Sequence, residues 1–317
     1  MTEAIHSRQQ LLEIFSLASR SSLPAMTDHV TELIAMLDDH DVEAEKLTAT
    51  ILKDYALTKK ILQLVNSAYF SRGAPIGTIS RAIPAMGTDT IRHLAVTMTL
   101  FEFFVAAGNH KDKIACTFAL SLLSATQSKI FCQMKSSVLS PEDAYICSLL
   151  HNLGKIVVLA WLPQKYQAIV QEIHEGYSEE HSCRMVLNGL TFGQIGQEMA
   201  TYWNFPKRIV DCMETAPEKP GKSQDSFLML QNLVVFSNRL ARVFFHGSDL
   251  ELAELILEFG PSLDIAQDEA LDLIDRALRT CETFSEAMRD ALEKIPFTGE
   301  NPPMVKKDAA GRWIRIS

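Results

Sequence analysis

The sequence predicts an all-α protein, and three observations support this prediction. Apolar residues recur at helical spacings of three and four from residue 30 to residue 295. Helix-start signals precede several of these apolar stripes. No stretch before residue 300 shows the alternation of apolar and polar residues that is typical of a half-buried strand. With 47% apolar residues among 317, the chain has enough apolar surface to form a folded core.

The N-terminal third contains two short apolar stripes followed by a longer one. The short stripes consist of Val30, Leu33, Ile34 and Leu37, and then of Leu57, Ile61 and Leu64. A longer helix is predicted to begin at Thr88, directly after the helix-stop signal Gly87. Its apolar face is formed by Ile91, Leu94, Ala95, Met98, Phe101 and Val105.

The middle of the chain begins with a run of apolar helix formers from Phe118 to Phe131. The next start signal is Ser140-Pro141-Glu142-Asp143, which combines a capping serine, a proline at the first helical position and acids that favour the helix N-terminus. This helix is expected to continue through Leu159 and to stop near Pro163.

A capping box, Thr191-Phe-Gly-Gln194, predicts the start of a further helix, which Asn204-Phe205-Pro206 ends. The last predicted helix is amphipathic and covers the core with Leu271, Ile274, Leu278, Cys281, Met288, Leu292 and Ile295. Beyond it, Met304-Val305 and Arg312 to Ile316 flank a turn-like segment and could pair as a small hairpin. A frayed terminus is the alternative.

These elements predict three parts of the chain. We expect an N-terminal helical subdomain over residues 1–108, a central helical subdomain over residues 109–296 and a C-terminal tail over residues 297–317. The composition changes mildly at residues 108–111, and Pro217 to Asp225 forms the clearest exposed loop. No repeat of fixed period is present, so a helical solenoid is not expected.

The net charge of −9 disfavours a general nucleic-acid binder, which needs a basic field, so no nucleic-acid partner is expected. No two cysteines form a C-x-x-C pair, which predicts free buried thiols in a reducing compartment. These are Cys116, Cys132, Cys147, Cys183, Cys212 and Cys281. The N-terminal sequence lacks a signal-peptide core, and His151 to Lys155 interrupts the longest apolar stretch. We therefore expect a cytoplasmic protein without a membrane span.

Among nine histidines, His151 stands alone in a predicted apolar helix, whereas the others mostly have polar neighbours in the sequence. A lone buried histidine is more often a hydrogen-bonded core residue than a metal ligand. His174 and His181 flank several glutamates, but their spacing fixes no ligand geometry, so a solvated surface is expected. The chain contains no dinucleotide fingerprint, no P-loop and no nucleophile elbow.

Several motifs together resemble the HDOD (HD-related output domain) family, a branch of the HD phosphohydrolase superfamily. In the first half of the chain they are Leu23-Pro24, Asp54 to Thr58, Leu64 to Phe70, Ile79 to Ile83 and Met86-Gly87. His151-Asn-Leu-Gly-Lys155 resembles the counterpart of the superfamily's His-Asp-x-Gly-Lys motif. The second signature is matched by Gly189-x-x-Phe192, Ile195-Gly196 and Trp203 to Pro206. The resemblance covers about residues 20–250, and the N-S-A-Y-F and H-N-L-G-K motifs are specific in combination.

The resemblance implies a compact multi-helix HDOD fold, in which the N-terminal helical subdomain precedes a central, degenerate HD-like helical core. It also implies a role in bacterial signal transduction. Because the helical pattern occupies nearly the whole chain, we expect no receiver or cyclic-dinucleotide module within it. The input would then come from an unidentified signalling protein or a small ligand. The sequence predicts no oligomeric state.

The resemblance further implies where an HD site would hold its metal ions, namely at an upstream histidine, an adjacent His-Asp pair and a downstream aspartate. In this chain the pair is His151-Asn152, Leu120 takes the upstream histidine position, and Asn238 takes the downstream aspartate position. Phe192 and Glu214-Thr215 occupy positions where many relatives carry further histidines. An amide supplies neither the negative charge nor the bridge that two metal ions need. We therefore expect no metal and no cofactor.

The sequence analysis leaves three functional hypotheses. The preferred one is a non-catalytic signalling or regulatory module with no catalytic residue. The alternative is a metal-dependent phosphohydrolase for a nucleotide or cyclic dinucleotide, with His151, Asn152 and Lys155 at its site. In the third, the groove survives as a ligand pocket lined by His151, Asn152, Lys155 and Asn238. There Lys155 would bind a phosphate or carboxylate, although a helix-end surface lysine is the simpler interpretation.

The tail carries a separate prediction. Residues 297–317 contain four basic and two acidic side chains on an otherwise acidic protein. With Trp313, Ile314 and Ile316, the tail can dock on the body of the protein or on a partner through apolar contact and opposite charge. Disorder of the tail is the alternative.

Overall fold

The computed structural model describes residues 32–33, 35–36, 43–66, 75–107, 110–135, 138–203, 205–214, 225–281, 305–307 and 313–315. These ranges are helical almost throughout, which confirms the predicted fold class. The helices pack around one continuous apolar core that extends from Leu33 to Cys281.

Four helices lie between residues 43 and 107. They are α1 (Ala44–Leu52), α2 (Tyr55–Val65), α3 (Ile79–Met86) and α4 (Thr88–Ala107). Leu57 and Ile61 are buried on α2, as the apolar spacing predicts. Helix α4 begins at Thr88, as predicted, because Gly87 takes a φ of 90° that ends α3. Most of the first predicted stripe lies outside the described residues, although Leu33 is buried.

The centre of the chain forms seven helices within the described residues. They are α5 (Lys111–Met134), α6 (Pro141–Leu150), α7 (Leu153–Trp161), α8 (Pro163–His174), α9 (Glu179–Val186), α10 (Phe192–Tyr202) and α11 (Lys207–Asp211). Both predicted caps are present, because the Ser140 hydroxyl accepts from the Asp143 amide and Thr191 forms a reciprocal capping box with Gln194. Helix α5 is buried on nearly all sides, and it packs against α6 and against the C-terminal helices.

One helix prediction is wrong. The helix that starts after Ser140 does not run unbroken to Pro163, because α6 ends at Leu150 and α7 begins at Leu153. His151 and Asn152 form the turn between them. Asparagine is a poor helix former, and the Asn152 side chain forms hydrogen bonds with Ser121 and Asn238 and not with the local backbone. The consequence is that Asn152 faces two other helices of the core.

Three helices follow: α12 (Ser226–His246), α13 (Asp249–Leu263) and α14 (Gln267–Cys281). Helix α14 buries Ile274, Leu278 and Cys281 and half-buries Leu271, in agreement with the predicted amphipathic pattern. The predicted continuation to Ile295 and most of the predicted loop from Pro217 to Asp225 lie outside the described residues.

The tail forms a small antiparallel hairpin, which was one of the two predicted alternatives, the other being a frayed terminus. Strand β1 (Val305–Lys307) pairs with strand β2 (Trp313–Arg315), with Lys306 opposite Ile314. The prediction that Lys306 and Lys307 belong to the turn is wrong, because both belong to β1. Lysine is tolerated there because a two-stranded sheet consists of edge strands alone.

Two helical stretches, Lys111–Met134 and Pro141–Trp161, are long and apolar enough to cross a membrane by length and composition. In the structure, 83% and 78% of their most apolar windows are buried inside the protein. This burial is typical of core helices. All six cysteines are buried free thiols, as predicted.

Candidate functional site

The residues of the HD-like motif meet where α5, α12 and the turn between α6 and α7 converge. Asn152 Nδ2 donates to Ser121 Oγ on α5 at 3.0 Å and to Asn238 Oδ1 on α12 at 2.7 Å. Asn238 Nδ2 donates in turn to the backbone oxygens of Ser148 and Val234, at 3.2 and 2.9 Å. Each amide therefore has two acceptors for its two N–H groups. We call these bonded side chains the amide network.

Three serines extend this network into the core. Ser128 Oγ lies 2.6 Å from Ser148 Oγ on α6 and donates to Ser237 Oγ on α12 at 2.9 Å. All three side chains are fully buried. The hydroxyls thus pair with one another, which removes the penalty of burying them unpaired. The network holds α5, α6 and α12 together without any charged group.

His151 is buried beside this network but does not join it. Its Nδ1 lies 3.0 Å from the backbone oxygen of Cys212, at the end of α11. The contact is with Cys212 and not with Asn152 or Asn238, which share the hypothetical ligand pocket with His151. Because a carbonyl can only accept, Nδ1 carries the proton. Burial lowers the pKa of His151, although the Cys212 carbonyl and the nearby Glu179 and Glu214 oppose this shift.

Lys155 and Glu179 form an ion pair that joins α7 to α9. Lys155 Nζ lies 2.6 Å from Glu179 Oε2 and 5.5 Å from the centre of the Phe192 ring. Burial alone would lower the pKa of Lys155, but Glu179 outweighs it, so the pKa is raised. The same pairing with Lys155 lowers the pKa of Glu179 despite its burial. The Lys155 side chain is 21% exposed and the Glu179 side chain 35% exposed. Lys155 is therefore not a free surface lysine, and its ammonium group is not open to bind an anion.

The side chains at this position do not fit the metal ions that the HD superfamily implies. Asn152 and Asn238 use their N–H groups on neighbouring oxygens, and their amides carry no charge to offset the desolvation of a divalent cation. Leu120, which the resemblance places at the upstream histidine position, precedes Ser121 on α5 and has a hydrocarbon side chain that cannot ligate a metal. Among the described residues, no cluster of three or more His, Cys, Asp or Glu side chains could hold a metal.

Two glycines of the motifs have a packing role. A Cβ on Gly154 would lie 1.9 Å from the Phe192 backbone oxygen and 2.6 Å from the Gly196 backbone nitrogen. Gly154 on α7 and Gly196 on α10 therefore let the two helices cross in backbone contact. The H-N-L-G-K motif and the second signature are thus the two sides of one helix crossing.

A separate cavity of about 340 Å³ lies among the α3–α4 junction, the start of α6 and α11. This cavity is not predicted from the sequence, and His93, which was expected among the histidines with polar neighbours, is buried and lines it. The burial of His93 could have been predicted from its apolar neighbours Ile91, Leu94 and Ala95 on the same helix, but the cavity could not. His174 and His181 are exposed, as expected.

The fold and the motif around His151 define an all-helical protein of the HD type, with the hydrogen-bonded pair Asn152 and Asn238 beside the motif. The chain belongs to the HDOD domain family, whose profile matches residues 23–218. The fold is similar to that of an HDOD domain protein from Geobacter sulfurreducens, with a TM-score of 0.66, 20% identity and coverage of 91% of this chain and 99% of that one.

Two other solved structures share the fold. A candidate phosphohydrolase from Shewanella amazonensis SB2B has a TM-score of 0.66 and 18% identity, with 90% of this chain and 98% of that chain covered. A candidate signal transduction protein from Marinobacter aquaeolei VT8 has a TM-score of 0.63 and 15% identity, with 93% and 67% covered.

An uncharacterized protein of Treponema pallidum (strain Nichols) is 24% identical over 234 residues, which are 72% of this chain. The chain spans 44% of the length of that relative.

Proposed function

We propose that this protein is a non-catalytic regulatory module of bacterial signal transduction, which acts in the cytoplasm by binding a protein or a small ligand. The observation that carries this proposal is the hydrogen bond between Asn152 and Asn238. This bond connects the side chains at the two positions where the resemblance implies the carboxylates of an HD-type site. Here both side chains are neutral amides. Such a centre stabilises the fold instead of binding a metal ion.

The surrounding side chains support the same conclusion. A hydrolytic site needs a metal-activated water or a general base that is open to a substrate. His151 directs Nδ1 to the Cys212 carbonyl, and Lys155 is held by Glu179. Asn152 donates to Ser121 and Asn238, so all three residues that the phosphohydrolase hypothesis would use are engaged in structural contacts.

The third hypothesis, a ligand pocket in the old groove, has less support. Asn152 and Asn238 face each other, and Lys155 contacts Glu179 and lies over Phe192. A phosphate would have to displace Glu179 from Lys155 before it could bind. We therefore look to another surface or cavity for the input of this module.

The proposal is tested by metal content and hydrolysis. The full chain is purified without added metal and then incubated with manganese, iron or zinc. Bound metal is measured by mass spectrometry, and turnover is measured with bis(p-nitrophenyl) phosphate and with cyclic di-GMP. We expect metal far below one equivalent and no turnover above buffer.

The His151→Ala variant makes the test specific. If His151 has a structural role, its replacement by alanine leaves the Cys212 carbonyl without that partner and leaves a void. We then expect the free energy of unfolding to fall by on the order of 1–3 kcal/mol. A catalytic role would instead leave stability nearly unchanged and abolish turnover. Metal-dependent turnover in the unmodified chain that disappears in His151→Ala would contradict the proposal and support the phosphohydrolase.

A further inference from the structure

We propose that the outer face of α13 is a docking surface for a basic amphipathic helix of a partner protein. The inner face of α13 is buried in the core and consists of Leu252, Leu255, Phe259 and Leu263. On the outer face, Leu250 and Leu257 are 70% and 80% exposed. This inference rests on the proposed function, which includes the binding of a protein, but no residue of the amide network belongs to α13.

The exposed apolar residues of α13 lie along one line. Leu250 and Leu257 are two helical turns apart, and Pro261 follows one turn later, so the three side chains share one side of the helix. Pro261 is exposed, and so is Ala253 beside the two leucines. We call these four residues the outer stripe, and it is about 16 Å long. Single exposed leucines are ordinary, but an aligned set on a helix is typical of a face that binds another protein.

The spacing of the outer stripe matches the seam of a coiled coil. With Leu250 and Leu257 at the a positions of two successive heptads, Ala253 and Gly260 take the d positions. The small residues at d leave room beside the leucines, so leucines of a second helix can pack there. A strand would find no backbone partner on this face, because the N–H and C=O groups within a helix bind one another. The outer stripe therefore suits a helix.

The charges beside the outer stripe favour a basic partner. In the same heptads Asp249 takes a g position and Glu254 an e position, and side chains at e and g pair across a coiled coil. Both acids are exposed, and neither has an ion-pair partner within the part of the chain that the structure describes. Glu258 nearby pairs with Arg239 of α12. From Ser248 to Asp264 the sequence contains five acids and no base, so lysine or arginine at e and g of a partner would complete the pairs.

The same charges argue against other occupants of the outer stripe. A second copy of this chain would place acid opposite acid, whether the two helices were parallel or antiparallel. The anionic surface of a membrane would be repelled for the same reason. The basic tail of this chain already has a place, because β2 packs against α14. A helix from another protein remains as the occupant that matches both the apolar spacing and the charge.

The test uses the full chain and a designed peptide in place of the unidentified partner. The peptide has three heptads with leucine at a and d and lysine at e and g, and it carries a fluorescent label. One control peptide has glutamate in place of lysine, and a second has serine in place of leucine. Binding is measured by fluorescence anisotropy in about 150 mM NaCl, and sedimentation gives the oligomeric state of the chain.

Three variants locate the binding surface. Leu250→Ser with Leu257→Ser removes the apolar part of the outer stripe, and Glu254→Lys reverses the charge beside it. The matched control is Leu52→Ser with Tyr55→Ser, which removes two other exposed apolar side chains, at the junction of α1 and α2. Because all these side chains are exposed, every variant should keep the helix content of the unmodified chain, which circular dichroism measures.

We expect the lysine-leucine peptide to bind with a Kd below about 200 µM. Leu250→Ser with Leu257→Ser should weaken binding at least about tenfold and Glu254→Lys at least about threefold, whereas the control variant should bind like the unmodified chain. The inference is overturned if the peptide does not bind in this range, if either control peptide binds as tightly, or if the two leucines prove no more important than Leu52 and Tyr55.

A dimer of the unmodified chain that separates in Leu250→Ser with Leu257→Ser would also overturn the inference, because a second copy would then cover the outer stripe. The metal and turnover measurements do not involve α13. A failure of this inference is therefore distinguishable from a failure of the proposed function.

Discussion

Asn152 Nδ2 donates a 2.7 Å hydrogen bond to Asn238 Oδ1, and this bond ties the turn between α6 and α7 to the middle of α12. The two residues are 86 positions apart in the sequence. Both side chains also form hydrogen bonds with other core residues, so their amides connect the helices that meet here. The relationship gives a structural role to asparagine at the two positions that the resemblance equates with the aspartates of HD-type sites.

The first prediction concerns the restoration of these acids. We expect the double variant Asn152→Asp, Asn238→Asp to bind no metal and to show no turnover, because Leu120 offers no upstream ligand. It should also lose at least about 2 kcal/mol of unfolding free energy, since four N–H donors vanish and two carboxylates face each other. Urea denaturation measures the unfolding free energy, and metal analysis measures the bound metal per chain.

A matched control for this double variant is Asn152→Ala with Asn238→Ala. It removes the same hydrogen bonds without adding charge, but it also leaves a void. An acid variant that is less stable than the alanine variant would therefore show that the carboxylates repel each other. If the acid variant were as stable as the unmodified chain and bound one equivalent of zinc or manganese, the amide network would not be structural.

The second prediction concerns the crossing of α7 and α10. In Gly154→Ala the new methyl group meets the Phe192 backbone oxygen at 1.9 Å, and backbone cannot move aside as a flexible side chain can. We expect Gly154→Ala to lower the free energy of unfolding by about 3 kcal/mol or more, or to prevent folding. Gly77→Ala is the control, because a Cβ there meets no atom of the described residues within 4 Å. Equal denaturation midpoints for the two variants would contradict the crossing.

The sequence predicted most of the fold, because local signals determine helix starts. Ser140 and Thr191 cap their helices as expected, and the motif positions of His151, Asn152 and Asn238 do converge. What the sequence could not provide are contacts between residues that are distant along the chain. The Cys212 carbonyl beside His151, Glu179 beside Lys155 and the cavity at His93 depend on how helices pack, and no local pattern encodes them.

The third prediction concerns the ion pair of Lys155. In Lys155→Met the stem of the side chain is kept, but the half-buried Glu179 loses its cation, so we expect a loss of about 1–2 kcal/mol. The control is Lys207→Met, which breaks the exposed pair with Asp211, where Lys207 is 84% exposed, and should change stability by less than about 0.5 kcal/mol. Thermal or urea unfolding measures both variants, and equal small effects would show that the Lys155 pair is not structural.

The last prediction concerns the pH dependence of stability and depends on His93. Its pKa is lowered from 6.5 to about 4, first by burial and then by Arg92, while Asp89 opposes the shift. The unfolded chain therefore takes up a proton at His93 at a higher pH than the folded chain does. It follows that the contribution of His93 is fully present above pH 6.5 and is lost as the pH falls from 6.5 towards 4.

As the pH falls through that window, protonation of His93 alone should lower the unfolding free energy of the unmodified chain by up to about 1.4 kcal/mol per pH unit. Urea midpoints between pH 7.5 and 4.5 measure the total slope, to which the carboxylates and His151 also contribute. His93→Phe removes one of these protons and should make the slope shallower, whereas His174→Phe, at an exposed site, should not. Identical slopes for the three proteins would mean that His93 is not held neutral in the folded state, because a buried neutral imidazole cannot be removed without changing the proton balance of unfolding.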